Sequence, residues 1–272
     1  VGRNLPEGIR VIAHNPRCNL VDVGVSSRGT PLYVNRAVME CDLKIGLGCI
    51  YPHPAAGFSG GSKIIMPAVC GVETTRTLHD YRRGSGRGGS METELRQEIE
   101  EVAGRVGLDF IVNVVLSQER QIAGMFAGDR VLAHRAGVAY AQTLYSVMPP
   151  QDAHIVVADM YPFDSSLQFA TDRGLWPMWE TNSGTSLVVL AECPQGVGYH
   201  ELFPVADALY ARLRRRLKHL QWRDFQYPLA KLNNMRKLWQ QKQLELLVRS
   251  NGLRADDLRA VFPKARLKNW SS

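Results

Sequence analysis

Between Gly46 and His79 this chain of 272 residues concentrates side chains that can handle protons and anions. They are His53, Lys63 and His79, set among glycines at 46, 48, 57, 60 and 61 and serines at 59 and 62. Glycine lets backbone N–H groups come close to a ligand and adopt positive φ, which is how phosphates are cradled. Taken alone, such a turn reads equally well as a structural loop; Ser59, Ser62, Lys63 and the flanking His53 turn the reading toward a ligand site. The order Gly60-Gly61-Ser62-Lys63 is not the G-K-[ST] of a Walker A loop, and the glycine spacing is not G-x-G-x-x-G. His53 lies ten positions before Lys63 and His79 sixteen after it. Neither interval is helical, so the three must converge from separate elements. An imidazole with its ordinary pKa of about 6.5 can take and return a proton at neutral pH. A lone histidine is also commonly a hydrogen-bonded structural residue. His14, in Ala13-His14-Asn15-Pro16, is read that way, and no catalytic role is assigned to His134, His154, His200 or His219.

The elements that must position these residues can be read from hydrophobic patterning. Short apolar runs bounded by turn residues predict strands at Val11–Ala13, Val21–Val25, Leu43–Leu47, Phe110–Leu116, Ile155–Ala158 and Leu187–Ala191. Helical spacing predicts helices over Glu92–Val106 and Asp129–Tyr145. Strands alternating with helices imply βαβ units. The predicted class is α/β: two α/β regions with largely parallel sheets, the first Rossmann-like, and a helical C-terminal end. Met148-Pro149-Pro150 sets the boundary, giving a cofactor-binding domain over 1–149 and a C-terminal α/β domain over 150–272. Arg82–Ser90, glycine-rich and basic, reads as a surface loop.

Composition bounds the chemistry without choosing it. Hydrophobic residues at 45% and charged residues at 22% are ordinary globular values. A net charge of +7 suits an enzyme for anionic substrates and a nucleic-acid binder alike. The five cysteines are scattered, with no C-x-x-C pair, which argues against a disulfide framework and a structural zinc site and for a reducing compartment, the cytoplasm. No apolar run approaches the roughly 20 residues that span a bilayer. In the basic tail, Arg212–Lys218 with Trp222 and Trp239 could contact nucleic acid. Leu209, Leu213, Leu217 and Leu220 recur at helical spacing, however, and favour an amphipathic helix with a solvated basic face.

The chain closely resembles the nickel-dependent lactate racemase family. The resemblance is carried by Ser27-Arg28-Gly29-Thr30-Pro31, by Pro52-His53 through Ala56-Gly57-Phe58-Ser59-Gly60-Gly61-Ser62-Lys63, and by Glu73-Thr74 leading to His79. Phe110–Val115, Phe126–Asp129, Tyr161–Asp164 and Ala191–Gly198 follow in family order. The resemblance implies an isomerase, a racemase or epimerase of a 2-hydroxy acid. Its cofactor would be a nickel-pincer nucleotide, a Ni(II) pyridinium-dithiocarboxylate mononucleotide. Lys63 would be the lysine joined covalently to that cofactor, His79 the protein ligand to nickel, and His53 a general acid/base beside the substrate hydroxyl. Gly57, Ser59, Gly60 and Gly61 would lie along the phosphate. Hydride would pass to the cofactor and back, through a keto acid open to reduction on either face. Cofactor-biosynthesis enzymes would be partners.

The pattern breaks in two places. The family takes a second histidine and substrate-orienting Asp and Arg residues from an N-terminal portion that this chain, beginning at Val1, does not contain; the reading here is truncation. After Phe163-Asp164 the family carries a glutamine followed three residues later by a lysine that grips the substrate carboxylate. Here Gln168 is followed by Thr171, and the alternative register pairs Phe169 with Asp172. Arg173 could take the carboxylate instead. A different 2-hydroxy acid, or a sugar acid, therefore fits as well as lactate. The alternative function is a non-catalytic homologue that binds a nucleotide or the cofactor.

Overall fold

The computed structural model describes residues 7–53, 55–79, 89–148, 153–167, 169–170, 184–197, 245–262 and 264–268. The chain divides into two compact units, Val1–Ser146 and Val147–Ser272.

In the first unit β1 (Leu20–Val25) and β2 (Pro31–Asn35) form an antiparallel hairpin, followed by the short α1 (Arg36–Met39). The Ser26–Thr30 turn is tied down by helix α3 (Glu94–Val106). The Ser26 and Thr30 hydroxyls donate to buried Glu98, at 2.6 and 2.5 Å, and the Ser27 amide donates to Glu101 at 3.0 Å. Helix α3 starts where the Thr93 hydroxyl caps the Arg96 amide and stops at Gly107, whose φ of 82° is the left-handed C-terminal conformation that glycine permits. Its inward stripe is Ile99, Val102, Ala103 and Val106, packed with Leu32, Val34, Met66 and Ile111.

Beside it lies a three-stranded sheet in the order β3 (Ile45–Cys49), β6 (Phe110–Leu116), β7 (Ile122–Gly128). The β3–β6 pair is parallel and the β6–β7 pair antiparallel, so this sheet is mixed where the sequence predicts a largely parallel one. The reason is length: Leu116 and Ile122 are joined by a tight turn, and a parallel return needs a crossover of about a dozen residues. Helix α4 (Leu132–Tyr145) packs on β6 and β7. The predicted strand at Val11–Ala13 is irregular and exposed, with Val11 55% accessible. Its three residues pair with no strand among those described.

The second unit carries a wholly parallel sheet in the order β11-β10-β9-β8, built from β8 (Ile155–Asp159), β9 (Ser186–Leu190), β10 (Glu245–Arg249) and β11 (Arg266–Lys268). Helix α5 (Ala255–Val261) is the crossover between β10 and β11. Leu187, Val189, Val248, Leu258 and Phe262 form its core. The described end of the chain is therefore strand–helix–strand. The amphipathic basic helix predicted after Val205 lies outside the described residues, as do Gln168 and Arg173. Among the described residues no helix is long and apolar enough to cross a membrane, and all five cysteines are free.

Candidate active site

The site grows from the end of β3. Past buried Ile50 the chain makes a narrow hairpin of β4 (Pro52–His53) and β5 (Gly57–Phe58), pairing Pro52 with Phe58 and His53 with Gly57. It then enters a single 3-10 turn, Gly61–Ile64, which carries Lys63. Ser59 fastens this loop back on the strand. Its hydroxyl donates to the Cys49 carbonyl at 2.7 Å and accepts from the Tyr51 amide at 3.0 Å. That hydroxyl shapes the loop, and both of its partners are protein backbone.

Two of the expected phosphate-lining glycines have clear internal reasons to be glycine. At Gly57, φ 72°, a Cβ would come within 2.0 Å of the Ser90 carbonyl oxygen; at Gly60, φ 73°, within 2.6 Å of Asn113 Oδ1. Gly61 presses on the His134 ring in the same way.

Three side chains beneath the loop complete it, and pattern reading assigns none of them a role. Arg96, fully buried on α3, donates to the Ala56 carbonyl at 2.8 Å and to the Phe58 carbonyl. Desolvation lowers its pKa to about 10; Glu100 raises it and Arg135 opposes that. Asn113 on β6 accepts the Gly61 amide at 2.7 Å. His134 on α4, 1% exposed, donates from Nε2 to the Ser59 carbonyl at 2.8 Å. Burial, with nearby Arg96 adding to it, drives the His134 pKa down to about 4, so the ring is neutral. The only signal of these roles in the sequence is a polar residue on an otherwise apolar face.

Of the predicted chemical residues, His53 and Lys63 are brought together: Nε2 and Nζ stand 3.0 Å apart. The other ring nitrogen of His53, Nδ1, accepts the amides of Ala55 and Ala56, each at 3.2 Å. His79 ends helix α2 (Val72–Leu78), where its Nδ1–H donates to the Thr75 carbonyl at 2.7 Å. Because a carbonyl can only accept, that bond places a proton on Nδ1. His14 is engaged at both nitrogens, donating from Nε2 to the Cys70 carbonyl and accepting the Asn35 amide at Nδ1, each at 2.9 Å.

These residues fit a bound anionic group with a reactive carboxyl and a metal. Lys63 supplies an amine and His79 an imidazole donor. The Ser62 hydroxyl and Asn113 Nδ2 are buried polar atoms, next to the loop, with no hydrogen-bond partner among the described residues. No three of His, Cys, Asp and Glu gather into a metal-binding cluster among the described residues.

Residues 1–88 match the model of the lactate racemase N-terminal domain. The lactate racemase of Lactiplantibacillus plantarum is 32% identical over 200 residues, which are 70% of this chain and 47% of its own. That of Thermoanaerobacterium thermosaccharolyticum is 28% identical over 204 residues, 72% of this chain and 48% of its own. This chain thus spans about half the length of the curated relatives it matches. In fold it is similar to the lactate racemase apoprotein from T. thermosaccharolyticum, with a TM-score of 0.73 and 21% identity over 96% of this chain and 64% of that one. A protein from Thermotoga maritima is similar at a TM-score of 0.57 and 17% identity, over 92% of this chain and 69% of that one.

Proposed function

From the premise that this chain belongs to the lactate racemase family, we propose that it serves a racemase or epimerase of 2-hydroxy acids that carries a nickel-pincer nucleotide on Lys63. The observation that supports this most directly is the approach of Lys63 Nζ to His53 Nε2 at 3.0 Å, on a loop held from below by Arg96, Asn113 and His134. A reactive amine and an imidazole side by side give one group for attachment and one for proton handling.

In this reading His79 donates its Nε2 lone pair to nickel, for which imidazole is a suitable ligand, and the Thr75 carbonyl keeps the ring in that tautomer. His53 exchanges a proton with the substrate hydroxyl. The Ser62 hydroxyl and the backbone of Gly60–Ser62 face the phosphate. The bound group, when present, would supply nickel, its remaining carbon and sulfur donors and the capacity to accept and return hydride. The substrate is a 2-hydroxy acid or sugar acid, and the site works in the cytoplasm beside the enzymes that make the cofactor.

The test is intact-mass and nickel analysis of the chain co-expressed with cofactor-synthesis enzymes, followed by racemisation assays on D- and L-lactate and longer 2-hydroxy acids. A covalent adduct that maps to Lys63 is expected, with nickel that is retained in the wild type and lost in His79→Ala. No adduct and no nickel would overturn the proposal in favour of a non-catalytic binding homologue.

A further inference from the structure

We propose that Arg96 is a positioning residue that makes the loop from Gly57 to Ser62 prefer an oxyanion, acting from beneath through the loop's own peptide groups. The inference rests on the proposed reading of this loop as a ligand site, and names the charge that selects the ligand.

Arg96 is 0% exposed on α3 and is the largest of the fully buried side chains. A buried cation is ordinarily paired with a carboxylate, because leaving water is costly. Arg96 makes no such pair among the described residues. Its Nε and Nη2 donate to the Ala56 carbonyl at 3.3 and 2.8 Å, and Nη2 donates to the Phe58 carbonyl as well. Its Nη1 is buried and has no hydrogen-bond partner. The charges that act on it are Glu100, which favours the cation, and Arg135, which opposes it. Glu100 is itself bound by Arg135 at 3.2 Å. Glu92 also reaches Arg135, at 3.6 Å, but from solvent, where its charge is screened. From α4 the other neighbour is the neutral His134 ring. The guanidinium is thus left without a direct counter-ion.

Two carbonyls require only neutral donors, which an amide side chain would supply at a smaller desolvation cost. What arginine adds is the charge. Its effect has a direction, because a planar trans peptide points its N–H opposite to its C=O. With the Ala56 and Phe58 carbonyls turned onto Arg96, the amides of Gly57 and Ser59 are turned away from it. That of Ser59 reaches the Tyr51 carbonyl at 2.9 Å. The negative ends of both peptide dipoles face the cation, and the positive ends face the opposite way. In a low-dielectric interior a full charge acts well beyond contact distance. Further along the same loop the Ser62 hydroxyl is buried and unpaired, a donor that an oxyanion can take. A buried cation lacking an anion and a buried hydroxyl lacking an acceptor are answered by one ligand group of the phosphate class.

Inorganic phosphate titrated into the cofactor-free chain, followed by calorimetry and nitrogen-15 NMR, is the test. The wild type is expected to bind phosphate saturably, and the Arg96 Nε–H signal to shift along the same curve. No saturable binding, or a signal unmoved at saturation, would overturn the proposal. Arg96→Lys keeps a cation and loses the guanidinium fork, whereas Arg96→Gln keeps a donor and loses the charge. Affinity is expected to follow charge: Arg96→Lys within about threefold of the wild type, and Arg96→Gln weaker by about tenfold or more. A merely structural arginine would lower stability in both variants and leave the phosphate affinity of the folded chain unchanged. Wild-type affinity in Arg96→Gln, or equal weakening in the two variants, therefore counts against the idea. Circular dichroism checks folding, and if neither variant folds the wild-type signal decides alone. No cofactor enters any of these measurements, so their failure and failure to form the Lys63 adduct are separate results.

Discussion

His134 is a titratable group in an environment that cannot hold its charge. Its Nε2–H serves the Ser59 carbonyl, the side chain is 1% exposed, and burial takes its pKa from 6.5 to about 4. The unfolded chain therefore binds a proton between those values that the folded chain refuses. Stability from this residue is complete above about pH 6.5 and is lost as pH falls toward 4. Between pH 7 and pH 5 the loss is about 2 kcal/mol, at 1.36 kcal/mol for each unit of displacement. Urea unfolding at the two pH values should show that extra loss in the wild type and not in His134→Gln; equal pH sensitivity in both would contradict it. Arg96 works at the same scale from the other side of the loop, its charge spent on two carbonyls and not on a carboxylate. His53, Lys63 and His79 stand out as candidates from residue type and order, and the first two meet at 3.0 Å. Arg96, Asn113 and His134 do not stand out, because a buried polar side chain is defined by the partner it meets across the fold.

At the scale of elements, the hairpin β4–β5 and the 3-10 turn hold Lys63 only because Gly57 lets the Ser90 backbone touch it. Gly57→Ala adds a methyl 2.0 Å from the Ser90 oxygen in a backbone region costly for alanine. Gly107→Ala provides the control, since φ is again positive, at 82°, but the nearest atom to the added Cβ is the flexible Lys44 Nζ at 3.9 Å. The control should lose about 1 kcal/mol and Gly57→Ala at least about 2 kcal/mol more, measured as urea midpoints. Equal losses would remove the close contact as the reason for glycine. Strand β6 was predicted at its observed limits, Phe110–Leu116, and helix α3 within two residues of its start, since both carry strong periodicity and, for α3, a Thr cap and a Gly stop. Strand β7 and the hairpin partner β2 were not among the predicted strands; β7 is interrupted by glycine and alanine and owes its strand to pairing with β6.

Across the whole molecule, each unit has its own core and its own buried thiol. Cys70 sits 1% exposed in the first, with burial pushing its pKa up to about 12; Cys193 is fully buried in the second, at about 11. Under native conditions iodoacetamide should label exposed Cys18 and Cys41 and spare Cys70 and Cys193, whose protection should disappear with the unfolding of their respective units along a denaturant series. Rapid native labelling of either buried thiol would contradict this packing. Sequence alone determined the α/β class and the approximate positions of β1, β3, β6, β8 and β9 and of helices α3 and α4, because local periodicity is written in neighbouring positions; it offered His53, Lys63 and His79 as candidates by residue type and order. Only the tertiary structure decided that β7 returns antiparallel, that the loop glycines answer to Ser90, Asn113 and His134, and that His53 and Lys63 meet. Each of those depends on which atoms distant in the chain are pressed together, and hydrogen-bond direction has no meaning until the partner is in place.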